Sequence, residues 1–282
     1  MIEPVKVLEP RTAPRPLIAS IPHGSTVIPA RFASLLTVDP DKLWADAFTP
    51  ELYAFLGDLG AVTVQAGLSR FVADPNRDPD YPVFGPFRSS IISSATPGGR
   101  PIYSAEPSPE ELAERVALAH TAFHQGIDQA VSRLGDRYGS LLLLDLHSFG
   151  GSADPRGAER VRGADVILGD GRGTTARPWV VDLIEESLRE QGFSVLRNVV
   201  YSGGWIVRRF ASAPHIDAVQ VELNQRCYIP GPLDADGFPR PFDPDLIDAV
   251  ARRLRRAISQ ILDVYWSGGT GCAPVRGTQL RD

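Results

Sequence analysis

The chain has 282 residues, 43% of them hydrophobic, with a formal net charge of −5 and a pI near 5.6. That length can bury the core of one large α/β unit, and 1–282 is read as a single domain. No lysine/arginine block marks a nucleic-acid surface, no apolar run approaches the ~18 residues of a membrane span, and Cys227 and Cys272 lack the spacing of a disulfide framework or a cysteine metal site.

The N-terminus shows no charged region followed by an apolar core, so a cytoplasmic location is expected. Residues 1–15 are polar and proline-rich and are expected to wrap the surface. Leu17–Ile21 reads as a buried strand, followed by Pro22-His23-Gly24-Ser25. Asp39-Pro40-Asp41 caps a helix predicted over 41–59, with Leu43, Ala47, Leu52, Phe55 and Leu56 near helical spacing and Gly60 as its stop. Short strands are predicted over 61–65 and 69–73.

Residues 74–109 are rich in Pro, Gly, Asp and Ser, and a loop of that length in a compact domain is commonly functional. Ser108-Pro109-Glu110-Glu111 opens a helix predicted over 109–134, with serine at the cap and acids in the first turn. Ser140–Leu146 is the most apolar strand and is expected at the centre of the sheet. A strand over 164–168, the loop Gly169–Thr175, a helix over 177–191, strands over 193–197 and 218–223, and a helix over 244–265 complete the chain. The run Arg252-Arg253-Leu254-Arg255-Arg256 on that last helix is read as a solvated face. Strands alternating with helices indicate an α/β fold with a mixed, mostly parallel central sheet.

Of five histidines, His23 and His147 each follow an apolar strand, where open α/β sheets bind ligands. Two imidazoles so placed suggest a catalytic metal site with a carboxylate as third ligand, Asp46 or its neighbour Glu51. Asn76-Arg77, with Arg70 upstream, could clamp an anion; from spacing alone, a turn bonded by Asp74 and Asn76 to its own backbone is the stronger reading. Glu222 lies in the strand-like Val219-Gln220-Val221-Glu222-Leu223. It is a general base, or else a carboxylate that faces solvent on an edge strand or salt-bridges Arg226. Tyr201-Ser202-Gly203-Gly204 could cradle an acidic substrate with Arg208, or form an ordinary turn. His120 and His124, four apart on the 109–134 helix, lack an HExxH pattern and read as surface or packing residues. His215 reads as exposed.

Taken together, these stretches resemble the N-formylglutamate amidohydrolases, relatives of the zinc carboxypeptidases and succinylglutamate desuccinylases. The likeness runs from about Ile18 to Tyr228. It is carried by Pro22-His23-Gly24-Ser25, by Asp46 with Leu52-Tyr53, by Arg70 with Asp74-Pro75-Asn76-Arg77-Asp78-Pro79, by Asp145-Leu146-His147-Ser148, and by Val221-Glu222-Leu223-Asn224. The resemblance implies a three-layer, phosphorylase/hydrolase-like fold. It also implies a metal, zinc or another divalent transition metal, on His23, Asp46 and His147, and it selects Asp46 over Glu51. Glu222 would be the general acid/base. Arg70, Asn76, Arg77, Tyr201, Gly203 and Arg208 would bind a small acidic N-acyl amino acid, best matched by N-formyl-L-glutamate, in the context of histidine degradation. The chain departs from the family at Arg208-Arg209-Phe210, where a histidine-tyrosine pair is usual, and in the Gly169 loop. Both departures are expected to lie where substrate is recognised.

Overall fold

Continuous apolar runs fit strands covered on both faces, and the two longest, Leu141–Phe149 (β6) and Ile216–Asn224 (β9), are buried along their whole length. They lie side by side in a seven-stranded sheet with Val5–Leu8 (β1), Leu17–Ile21 (β2), Val62–Ala66 (β3), Val166–Gly169 (β7) and Val195–Arg197 (β8), in the order β1-β3-β2-β6-β9-β7-β8. This is a computed structural model, and it describes residues 2–150, 159–213, 215–230 and 241–268. Cys272 falls outside them.

The four central strands β3, β2, β6 and β9 are parallel, while β1 and β7 join them antiparallel and β8 runs parallel to β7. A separate parallel pair, Phe84–Gly85 (β4) with Ile92–Ser93 (β5), lies within the long loop.

Alternation along the central strands sorts their side chains into two cores. Leu142, Leu144 and Leu146 face a layer containing Thr49–Leu52 (α2), Pro178–Glu190 (α5) and Pro244–Gly268 (α7). On the other face, Ile18, Leu141, Leu143, Ile216 and Ala218 pack under Ala122–Tyr138 (α4) and Trp205–Phe210 (α6). Two short elements remain, Ala30–Ala33 (α1) and Pro109–Arg115 (α3). Helices on both faces of the sheet make the three layers.

Ser108 caps α3 as its sequence predicts, accepting from the Glu111 N–H at 3.3 Å. From there the helix passes through a π turn, Val116–Thr121, into α4. The helix expected over 41–59 is replaced by two 3-10 turns and the four-residue α2. Phe48, just before α2, has a left-handed backbone (φ 58), which interrupts any longer helix. Residues 69–73 form a turn rather than a strand, and 5–8 form the edge strand β1 within the segment expected only to wrap the surface.

Candidate metal centre and its cavity

The sheet face under α4 and α6 changes character along its length. Its lower rungs are Ile18, Leu141, Leu143, Ile216 and Ala218; two residues further up each strand come Ser20, Asp145 and Gln220, and then His147 and Glu222. Side chains spaced by two share a face, so the polar set crowns the apolar one at the carboxyl end of the strands. His147 and Glu222 are register partners on β6 and β9. The strand carrying His147 extends past its sequence-expected end at Leu146, so His147 sits inside the sheet, as Glu222 does within its expected strand.

His23 follows β2, and its carbonyl accepts from the Asp46 N–H at 2.9 Å. That bond fixes Asp46 beside the strand end although no helix supports it. His147 Nδ1 lies 3.0 Å from Asp46 Oδ2 and 3.1 Å from His23 Nδ1; the Ser148 N–H also donates to Asp46 Oδ2, at 3.1 Å. All three side chains are buried, and one ligand atom from each falls within 4.8 Å of the others.

The outer nitrogens settle the tautomers. His23 Nε2 meets Asp74 Oδ1 at 2.7 Å and His147 Nε2 meets Asp145 Oδ2 at 2.9 Å. An ionised carboxylate only accepts, so each Nε2 carries a proton and each Nδ1 turns a lone pair inward. Two imidazole lone pairs and a carboxylate oxygen converging on one point are the donor chemistry of a transition-metal site, with carboxylates behind both histidines. The carboxylates around His147 favour positive charge at this point. Burial opposes charge on His147, yet Asp145 and Asp46 push its pKa well above the usual value. Burial likewise raises Asp46, but its bonds to His147 and His23 prevail and hold it below the carboxylate range.

A cavity of about 330 Å³ opens over this cluster, lined by Trp44, Phe87, Tyr201, Gln220 and Glu222 among others. Glu222 is buried, which raises its pKa to about 7 against the pull of His147; Asp46 adds to the rise, and a 2.6 Å bond from Gln220 Nε2 opposes it. The edge-strand alternative is thereby removed, since β9 is central and Arg226 pairs instead with Asp165 at 3.0 Å.

Arg70 and Arg77 both line the cavity and share a single carboxylate. Arg70 Nη2 lies 2.5 Å and Arg77 Nη1 3.3 Å from Asp74 Oδ2. Burial works to raise Asp74, but the two guanidiniums and His23 keep it well below the usual range. Two guanidiniums against one carboxylate leave a surplus of positive charge on this side of the cavity. Asn76 accepts the Ile206 N–H at 3.0 Å through Oδ1, and its Nδ2 lies 3.2 Å from His147 Nε2.

Tyr201 and Gly203 line the opposite wall. Gly203 has φ 108, and a Cβ on Gly204 would sit 2.2 Å from Asn76 Oδ1, so this loop closes only with glycine at both positions. Gln220 Oε1 accepts the Gly204 N–H at 2.6 Å and so links the loop to Glu222.

Three expectations need correction. Arg208 is exposed and absent from the cavity wall: α6 buries Ile206, Val207 and Phe210, and its helical pitch turns Arg208 outward. Arg209 and Phe210 also lie outside the wall, packing behind it against His124. The Gly169 loop backs the wall rather than forming it, the Gly171 N–H donating to the Ser202 carbonyl at 2.7 Å. Glu51 is exposed, as is His215.

Sequence reasoning did not assign Asp145, Asp74 or Gln220 to the site. A signal existed for Asp145, an acid inside a leucine run that must find a buried partner. In the sequence Asp74 reads as a turn residue within a family-like stretch, and Gln220 gives no signal.

Comparison with known proteins follows the same outline. A family model described as N-formylglutamate amidohydrolase matches residues 15–229. An N-formylglutamate deformylase of Pseudomonas aeruginosa is 30% identical over 253 residues, covering 88% of this chain and 92% of that protein. One from Pseudomonas putida is 30% identical over 233 residues, covering 79% and 85%. The crystal structure of an N-formylglutamate amidohydrolase from Ralstonia eutropha JMP134 superposes with a TM-score of 0.77 at 25% identity, covering 94% of this chain and 98% of that one.

Proposed function

The chain belongs to the N-formylglutamate amidohydrolase family, and from that premise we propose that it hydrolyses the amide of a small, acidic N-acyl amino acid, N-formyl-L-glutamate, to formate and L-glutamate. The observation that carries this reading is one small cavity that joins a buried His-Asp-His cluster, a buried carboxylate and a surplus of guanidinium charge. A volume of about 330 Å³ suits a metabolite rather than a polypeptide.

His23, Asp46 and His147 would hold a divalent metal, with zinc as the proposed ion. Such an ion, when bound, supplies Lewis-acid charge that polarises an amide carbonyl and acidifies water. Asp74 and Asp145 orient the two imidazoles from behind.

Glu222 is the general base. Its pKa near 7 lets its carboxylate take a proton from the attacking water and return that proton to the departing amine of glutamate, so the group ends the cycle as it began. Gln220 steers Glu222 Oε1 through its amide. Arg70, Asn76 and Arg77 hold the substrate carboxylates, and a neutral substrate would leave buried guanidinium charge unanswered, a heavy penalty. Tyr201 and Gly203 close the wall around the bound molecule. A cytoplasmic location completes the reading; no helix among the described residues is long and apolar enough to cross a membrane.

The test is formate release by zinc-loaded protein presented with N-formyl-L-glutamate, beside its N-acetyl and N-succinyl analogues and a neutral N-formyl amino acid. The reading expects the formylated acid to dominate. Absence of formate release from metal-replete protein would overturn the reaction, and equal rates on neutral substrates would overturn the role given to the arginines.

A further inference from the structure

The functional site rests on a segment, 74–77, with no regular secondary structure to carry it, and its buried backbone carbonyls must find donors elsewhere. Two come from the helix above. His120 Nε2 meets the Arg77 carbonyl at 2.9 Å, and His124 Nε2 meets the Pro75 carbonyl at 2.9 Å. A carbonyl only accepts, so each Nε2 carries the proton. His124 Nδ1 then accepts from Arg209 Nη1 at 3.1 Å, which fixes the same tautomer from the other side.

We propose that His120 and His124 are positioning residues, which fix the peptide plane before Asn76 and the one after Arg77 and so aim Asn76 and Arg77 into the catalytic cavity. Their placement depends on the π turn at Val116–Thr121. There the Ala122 N–H bonds back to the Ala117 carbonyl, five residues away, immediately ahead of His124 and with His120 inside the turn. Wide turns of this kind recur at functional sites.

Both rings are buried, with centroids 4.8 Å apart. Phe210 stacks on His124 at 6.0 Å, and Arg209 is anchored by Asp128 at 2.9 Å. Burial, together with His120 and Arg209, lowers the His124 pKa to about 3, so the ring stays a neutral donor. Arg209 and Phe210, which lie outside the cavity wall, thus bear on it through His124.

The role rests on the functional reading wherever substrate is the probe, so the test has a second arm without substrate. His120→Leu and His124→Leu remove the donors, while His120→Gln and His124→Gln keep an N–H near the same place. In metal-loaded protein, the leucine variants are expected to raise KM for N-formyl-L-glutamate about tenfold with kcat within about threefold, the pattern of lost ground-state binding. Amide hydrogen exchange over residues 74–78 should quicken in the leucine variants, and glutamine should restore both readouts. Unchanged KM and unchanged exchange in the leucine variants would overturn the role. So would faster exchange spread evenly over the sheet without rescue by glutamine, which marks a purely structural loss. If wild-type protein releases no formate, the functional reading falls, and exchange at 74–78 alone decides this one.

Discussion

Glu222 is the proposed base, and its environment sets it apart from the proposed metal ligands. It is buried one strand away from His147 and bonds only to Gln220 among the described side chains. Glu222→Gln keeps the shape and removes the base. The expected outcome is unchanged metal content with kcat lowered about 10²–10⁴-fold, the usual contribution of general acid–base catalysis. Elemental analysis beside single-substrate kinetics checks it, and near-wild-type kcat would remove Glu222 from the mechanism. Arg77 gives a second prediction. Its guanidinium contacts Asp74, the Asn76 carbonyl at 3.3 Å and the Phe87 carbonyl at 3.1 Å, a planar set of contacts that an ammonium cannot reproduce. Arg77→Lys is expected to raise KM for acidic substrates while preserving charge, and competition by L-glutamate would weaken in parallel. At this scale the sequence was legible where chemistry leaves no alternative. Histidines closing apolar strands and an acid inside a strand can be recognised by eye. Asp74 could not, because the bonds that define it reach from His23 to Arg77 and exist only once 51 residues of chain have folded back.

Elements whose apolar period was regular were readable nearly to their ends, as β2, α5 and α7 illustrate. The segment 41–59 was not, because its apolar spacing mimics a helix while Phe48 takes a left-handed backbone and Pro50 starts a new turn. The basic run on α7 divides by pitch: Leu254 is buried, Arg253 lies 3.8 Å over the Phe193 ring and donates to the Gln191 carbonyl, and Arg255 pairs with Asp58. Helix α5 has no capping side chain of its own. Asp217 on β9 does that work, accepting from the Arg177 N–H at 2.8 Å and from the Arg177 guanidinium, while Tyr265 on α7 donates to it at 2.9 Å. Asp217 thus ties two helices to the central sheet from the face opposite the cavity. Asp217→Asn should cost about 1–3 kcal/mol, the range for a buried polar group deprived of a charged partner, and should leave kcat unchanged. Urea titration beside a formate assay separates the two effects.

The described residues are organised around one seven-stranded sheet with a core on each face, so thermal unfolding should proceed as one transition. The candidate metal site joins β2, β6 and the Asp46 segment, and an ion that binds only the folded chain adds stability by mass action. Chelation should therefore lower Tm and abolish formate release together, and zinc should restore both. A Tm indifferent to chelator would mean that no ion occupies the cluster. The shared register of His147 and Glu222 has one consequence for how this scaffold can change. Because backbone pairing holds the proposed base and the proposed ligand in step, inserting a residue below either one would swing it through the sheet to the opposite core. Side-chain replacements in the stretch between Asp78 and Glu106, which carries the short β4–β5 pair and the wall residues Phe87, Arg88 and Pro97, leave the pairing of β6 with β9 intact. New specificities can be grafted there, while the reaction itself stays locked to the pitch of two strands.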